Sequence, residues 1–356
     1  MFEPLPLPKL TDAIIFPPNM DYDYFRLRQH YPFPRGQIDF DPLACWWLSE
    51  FSLIAYEHPK FIHLAVDSIL GMQTQIVNID NFRCLIAYDE KRIICAFRGT
   101  QIKSISMLKD LSYGVLVKPI STSYYGMLHQ GFFGSYERIW LEPEIGGREI
   151  VKRLQNEIPE RELWFTGHSL GGAVAVLAAL ESNCPNPVYT FGCPKFCDQE
   201  FAQRIHIRHY RLINRDDIVV RFPPRFSKYI GKDIYQMDGV VYLITDEGIR
   251  QANIEDKTLV KYVYDIWKTN RKTIFKLLFW GIPSSAVRYL LRFRVMAFFA
   301  ILTDAMQDLL FKYMVDHAPV LYAISSHNFL LQSNMPGGNP ETRNKHHNKA
   351  SYIAQR

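Results

Sequence analysis

Apolar positions along the chain follow two alternating rhythms. Short runs rich in β-branched and aromatic residues, Arg83–Tyr88, Arg92–Phe97, Leu163–Phe165, Val188–Phe191 and Arg208–Ile213, read as strands. Asp41–Tyr56 instead spaces its apolar residues as an amphipathic helix, with Asp41 placed to cap it and Pro42 suited to the first turn. A second helical stretch follows Leu128–Phe132 and extends to about Leu154, and an Ala- and Val-rich one runs from Ala173 to Glu181. Asp89-Glu90-Lys91 separates the first two strands as a hairpin turn. Thereafter strands alternate with helices, which predicts βαβ units, a mainly parallel sheet and an α/β fold.

Three regions lack this rhythm. Residues 1–40 are rich in Pro and aromatics and read as an extended arm packed on a domain surface. The stretch 332–356, with Gly, Asn, His and Lys, reads as a disordered tail. In between, Ile234–Ile244 reads as a hairpin turning at Asp238-Gly239. Lys268, Arg271, Lys272, Lys276, Arg288, Arg292 and Arg294 then interleave with Phe, Leu and Trp. No uncharged apolar run there approaches the ~18 residues that would span a bilayer. Basic residues beside an apolar face suit a helix lying in a membrane interface, so 268–300 is a candidate membrane contact. The same pattern equally suits a core-packing helical pair or a cap over a site.

Composition narrows the function classes. The 356 residues, 48% hydrophobic, suffice for one large domain. A net charge of +5 makes no case for a nucleic-acid partner, and no RRM, zinc-finger or helix-turn-helix signature revives one. The opening residues lack a basic segment followed by a long apolar run, so no Sec signal is expected. A cytoplasmic or peripheral-membrane location is the expectation, with non-Sec export left open. Cys45, Cys84, Cys95, Cys184, Cys193 and Cys197 are then expected as reduced thiols, and their spacing forms no zinc motif.

The candidate chemistry centres on Trp164–Glu181, where a β-prone run turns sharply through Gly167-His168-Ser169-Leu170-Gly171-Gly172 into a helix. This is a G-x-S-x-G turn in its required strand-to-helix context, which places a Ser Oγ at the top of a sheet. The helix N-terminus beside it offers free N–H groups and a positive dipole to a developing oxyanion. Phe97-Arg98-Gly99-Thr100, at a strand end, can present a backbone N–H and a hydroxyl to the same charge. Asp216 and Asp217 follow another strand; His317, His327, His209 and His206 compete as partner base. His129 reads as a satisfied core histidine, and His168 as a group packed beneath the turn.

With those residues in view, the chain resembles the lipase class 3, or fungal-lipase-like, branch of the α/β-hydrolases. The resemblance rests on FRGT at 97–100, LHQGFFGSY at 128–136, FTGHSLGGAVAVLAAL at 165–180, TFGCPKFCDQEFA at 190–202, INRDDIVVRFPP at 213–224 and DHAPVLY at 316–322, in that order. It implies an α/β-hydrolase fold and a serine carboxylester hydrolase of lipid esters, acylglycerol or phospholipid, working without cofactor or metal. Ser169 would be the nucleophile, Asp217 the acid and His317 the base. Thr100 and the Leu170 N–H would form the oxyanion hole. The order Ser, Asp, His is the one such hydrolases use.

There are departures. Val220 and Cys197 stand where the family usually has Pro and Gly, and Gln101–Leu111, a possible lid, lacks the usual Trp. The Asp-to-His spacing is roughly double that of compact members. The chain therefore divides into an arm (1–40), a hydrolase domain (41–331) with an insertion at about 226–315, and a tail. A phospholipase A1 or lysophospholipase is the enzymatic alternative. A catalytically silent hydrolase fold used as a membrane- or protein-binding module is the alternative of another class.

Overall fold

The computed structural model describes residues 2–8, 19, 21–36, 39–100, 119–121, 126–221, 226–227, 232–233, 239–252 and 315–334. The expected lid at Gln101–Leu111, the basic stretch 268–300 and the tail beyond Asn334 lie outside them.

One eight-stranded sheet dominates. Its strands are β1 (Gln73–Ile79), β2 (Phe82–Tyr88), β3 (Arg92–Phe97), β4 (Glu162–His168), β5 (Val188–Phe191), β6 (His209–Asn214), β7 (Val240–Thr245) and β8 (Gly248–Gln251), in that spatial order. The run β3 to β7 is parallel, and antiparallel pairs close both edges. The β2–β3 hairpin turns where expected, because the Asp89 carboxylate accepts the backbone N–H groups of Lys91 and Arg92.

Among the described residues the four longest helices are α1 (Pro42–Ile54), α2 (Gly147–Glu157), α3 (Leu170–Glu181) and α4 (Pro319–Ser333). They pack in two layers because the inner strands are apolar on both faces. Leu85, Ala87, Ile94, Ala96 and Trp164 join α1 and α4 on one side. Cys84, Ile86, Ile93, Cys95, Phe97 and Phe165 join α2 and α3 on the other. This period-two switch between two hydrophobic layers is the expected signature of strands buried on both faces. Among the described residues no helix is long and apolar enough to cross a membrane.

Several elements differ from the sequence reading. α1 starts as expected, with Asp41 accepting from Leu43 and Ala44 N–H, but Ala44 to Ile54 are buried on every side, so the helix is central and not amphipathic. The helix expected from Phe132 to Leu154 is broken. Gln130–Tyr136 runs on through a wide turn at Glu137–Leu141, then Glu142 goes extended (ψ 124°) ahead of Pro143, whose ring disfavours helical backbone at the preceding residue. Part of the expected surface arm is core, since Phe25 and Leu27 are fully buried beneath α1.

The described hairpin lies one strand on from the turn expected at Asp238-Gly239. Val240–Thr245 pairs with β6 on one side and with Gly248–Gln251 on the other, turning at Asp246-Glu247. Residues 234–238, the first arm and Asp238 of the predicted hairpin, lie outside the described residues. The segment after 226 thus supplies two strands of the main sheet before it reaches 253.

Candidate active site

The strand-to-helix turn is as tight as its glycines require. A Cβ on Gly167 would overlap the Gly171 carbonyl, and one on Gly171 the carbonyl of Phe97. Ser169 takes φ 58° and ψ −130°, a strained backbone for a residue with a Cβ. It is held there by its N–H donating to the Phe191 carbonyl at 2.9 Å, while its own carbonyl accepts from Gly172 N–H at 2.9 Å. The half-buried Ser169 thus stands at the carboxyl end of β4 with α3 beginning at Leu170. The Leu170 N–H opens that helix and has no acceptor within it.

Around this turn the structure brings together residues far apart in sequence. Asp217, fully buried just past β6, accepts the Nδ1–H of His317 at 2.8 Å. The same Oδ2 accepts the Tyr322 hydroxyl at 2.6 Å, and Oδ1 accepts Val219 N–H at 2.8 Å. These three donors satisfy a carboxylate that water does not reach. The bond at Nδ1 fixes the tautomer of His317 and leaves Nε2 with the lone pair that a general base needs.

Contacts place His317 at the Ser169 turn. Gly192, next after the carbonyl that anchors Ser169, packs so closely that a Cβ there would lie 2.8 Å from His317 Nδ1. The His317 ring sits 4.5 Å, centroid to centroid, from that of His168. From the opposite side Gly99 approaches the nucleophile turn, where a Cβ would meet Ser169 Cβ at 2.8 Å. Thr100, half-buried, follows Gly99 at the end of β3. Ser169, Leu170, Gly99-Thr100, Asp217 and His317 therefore converge at the carboxyl rim of the parallel strands, where open α/β sheets place their sites.

The competing candidates lie elsewhere. Asp216 donates its N–H to Asp316 Oδ2, and its neighbour alone reaches the imidazole. His327 is buried in α4 beside Asn328, His209 bonds Thr190, and His206 is exposed. His129 stacks on Phe132, and burial pushes its pKa down to about 4, in keeping with a core histidine. Sequence reasoning missed Tyr56, the last residue of the expected first helix. Its hydroxyl accepts Gly99 N–H at 3.0 Å, and nothing in its local sequence signals that contact.

Comparison with known proteins finds relatives for part of the chain. Residues 94–227 match the family described as lipase (class 3). By this match the segment is similar to class 3 lipases. The chain is 32% identical over 173 residues to a lipase of Rhizomucor miehei, covering 44% of this chain and 43% of that one. It is 29% identical to a secreted mono- and diacylglycerol lipase of Fusarium solani, covering 45% and 47%. It is 26% identical to phospholipase A1-II 4 of Oryza sativa subsp. japonica, covering 42% and 44%. The matches span under half the length of these relatives.

One expectation is corrected by the comparison. The cytoplasmic location does not stand beside a Fusarium solani relative described as secreted. That expectation comes from the opening residues alone, which carry no information about where a folded domain is sent.

Proposed function

We propose that the chain is a serine carboxylester hydrolase of lipid esters, working through an acyl-enzyme on Ser169. The observation that carries this is the buried Asp217–His317 pair at 2.8 Å, set against a strained serine turn at the head of a helix. His317 Nε2 takes the Ser169 Oγ proton as the oxygen attacks the ester carbonyl. Asp217 holds the resulting imidazolium through its Nδ1–H. The oxyanion is held by Leu170 N–H and by Thr100, each such donor worth about 3–4 kcal/mol in comparable sites. The imidazolium then protonates the departing alcohol, and water attacks the acyl-enzyme by the same route reversed. No step calls on a metal or cofactor.

The test is turnover of a p-nitrophenyl ester series by wild type and Ser169→Ala. Wild-type turnover that is lost in the variant is the expected result. Absence of Ser169-dependent turnover at every chain length would replace this reading with that of a silent binding module.

The substrate reading is an acylglycerol, following the relative described as a mono- and diacylglycerol lipase. A phospholipase A1 is the second reading, favoured by the rice relative. Hydrolysis of a mixed lipid panel separates them: fatty acid from diacylglycerol supports the first, lysophospholipid the second. We also propose that the basic stretch 268–300 meets the lipid surface carrying the substrate. Co-sedimentation with liposomes should fall when that stretch is removed, and equal binding would remove the proposal.

A further inference from the structure

Beneath the Ser169 turn lies a line of polar groups that the proposed reaction does not itself use. The Tyr56 hydroxyl accepts Gly99 N–H at 3.0 Å and lies 2.8 Å from His168 Nδ1. The other ring nitrogen of His168, Nε2, lies 2.7 Å from the backbone carbonyl oxygen of His317. All four residues are buried.

The hydrogens in this line can be assigned from chemistry alone. A carbonyl oxygen only accepts, so His168 Nε2 carries a hydrogen. Burial, and next the nearby His317, hold the His168 pKa well below its ordinary value, so the ring is neutral and Nδ1 bears a lone pair. That lone pair accepts the Tyr56 O–H, and a Tyr56 oxygen lone pair accepts Gly99 N–H. Every donor then points the same way: Gly99 N–H to Tyr56, Tyr56 to His168, His168 to the His317 carbonyl. Hydrogen bonds aligned in this sense polarise one another. Neutrality at His168 matters for a second reason. A positive charge there, 4.5 Å from the His317 ring, would oppose formation of the imidazolium.

The two ends of the line have distinct duties in the proposed reaction. Gly99 carries the strand end that presents Thr100, and His317 carries the base. They stand on opposite sides of the nucleophile and share no element of secondary structure. We infer that Tyr56 and His168 are positioning residues, a directional hydrogen-bonded line that fixes the oxyanion strand end relative to the catalytic imidazole. The inference rests on the hydrolase reading above. Neither side chain touches the reacting atoms, so both act through Gly99 and His317.

Tyr56→Phe tests it on the full-length protein, because it keeps the ring and removes both bonds at Oη. On a soluble p-nitrophenyl ester, kcat should fall roughly ten- to a hundredfold with KM within about twofold, the loss expected from misplaced catalytic groups. Amide hydrogen exchange at Gly99 should accelerate while that at Gly172, held by Ser169, does not. His168→Gln, whose amide can donate to the His317 carbonyl and accept from Tyr56, should retain more activity than His168→Phe. Tyr56→Phe added to His168→Phe should cost little more than the worse single variant, as groups acting as a unit do.

Wild-type kcat in Tyr56→Phe, additive losses in the double variant, or a loss that follows a general fall in melting temperature with faster exchange at Gly172 would each overturn the inference and leave the hydrolase reading intact. A wild type without Ser169-dependent turnover would instead overturn both.

Discussion

Single residues decide the chemistry here through backbone placement as much as through side-chain type. Two adjacent aspartates follow β6, and only one turns inward: Asp217 is fully buried on His317, while Asp216 uses its N–H on Asp316. Asp217→Asn should lower kcat by about 10⁴-fold, by favouring the wrong imidazole tautomer. Asp216→Asn should leave it within a few-fold of wild type. Steady-state kinetics of the two variants would decide, and equal effects would refute the assignment. Gly171 shows how little space surrounds the turn. Gly171→Ala would drive its Cβ into the Phe97 carbonyl, which is backbone and cannot swing aside. A loss of about 2–3 kcal/mol is expected, measurable by urea denaturation, together with lower activity, because Phe97 leads directly into Gly99-Thr100.

At the scale of elements, stability gathers where local signals and packing agree. Asp41 caps α1 through Leu43 and Ala44 N–H, and that helix is central to one layer of the core. Asp41→Ala should cost about 1 kcal/mol, read from the denaturant midpoint, with KM unchanged because the cap lies away from the proposed site. A variant as stable as wild type would show that packing alone holds the helix end.

The same contrast explains which elements were legible in the sequence. Asp41, the Asp89 turn and the Gly-flanked Ser169 act within a few residues of themselves, so their motifs were readable. Pro143 was equally local, but the apolar spacing on either side of it suggested one long helix. The pairing of β7 was not readable because its partner, β6, is supplied from some 30 residues earlier. Tyr56 was invisible for the same reason: its two hydroxyl partners, Gly99 and His168, come from two other parts of the chain. Asp217 and His317 were legible only through a family resemblance, since no spacing rule joins residues 100 apart.

Across the whole molecule, the N-terminal stretch is tied to the body by buried carboxylates. Glu50, in the middle of α1, accepts the Tyr22 hydroxyl at 2.6 Å, Trp46 Nε1–H at 3.0 Å and Phe25 N–H at 3.0 Å. Glu57 likewise accepts Asn19 N–H and the Tyr24 hydroxyl. Burial raises the Glu50 pKa from 4.5 to about 7, despite those donors. A folded pKa above the unfolded one means a contribution to stability that is complete below about 4.5 and lost as pH rises through about 7. The loss is on the order of 3 kcal/mol at most. Wild type should therefore lose stability between pH 5 and pH 8 relative to Glu50→Gln, whose side chain does not titrate. Parallel denaturation curves for the two proteins across that range would contradict the reading.

The acid and the base of the proposed triad are fastened to one another by more than their own contact. Asn214 gives its side-chain amide to the Asp316 carbonyl at 3.0 Å and its backbone N–H to the Tyr322 hydroxyl at 3.0 Å, and Asp216 N–H reaches Asp316 Oδ2. These bonds form a clasp across the neck of the long excursion from β6 to α4. A loop closed at its neck adds little entropic cost as it lengthens, about 0.6 kcal/mol per doubling. The chain between β8 and α4 can thus be lengthened, shortened or exchanged with the distance from carboxylate to imidazole unaltered, so that, under the proposed function, substrate preference can diversify there while the reaction stays the same.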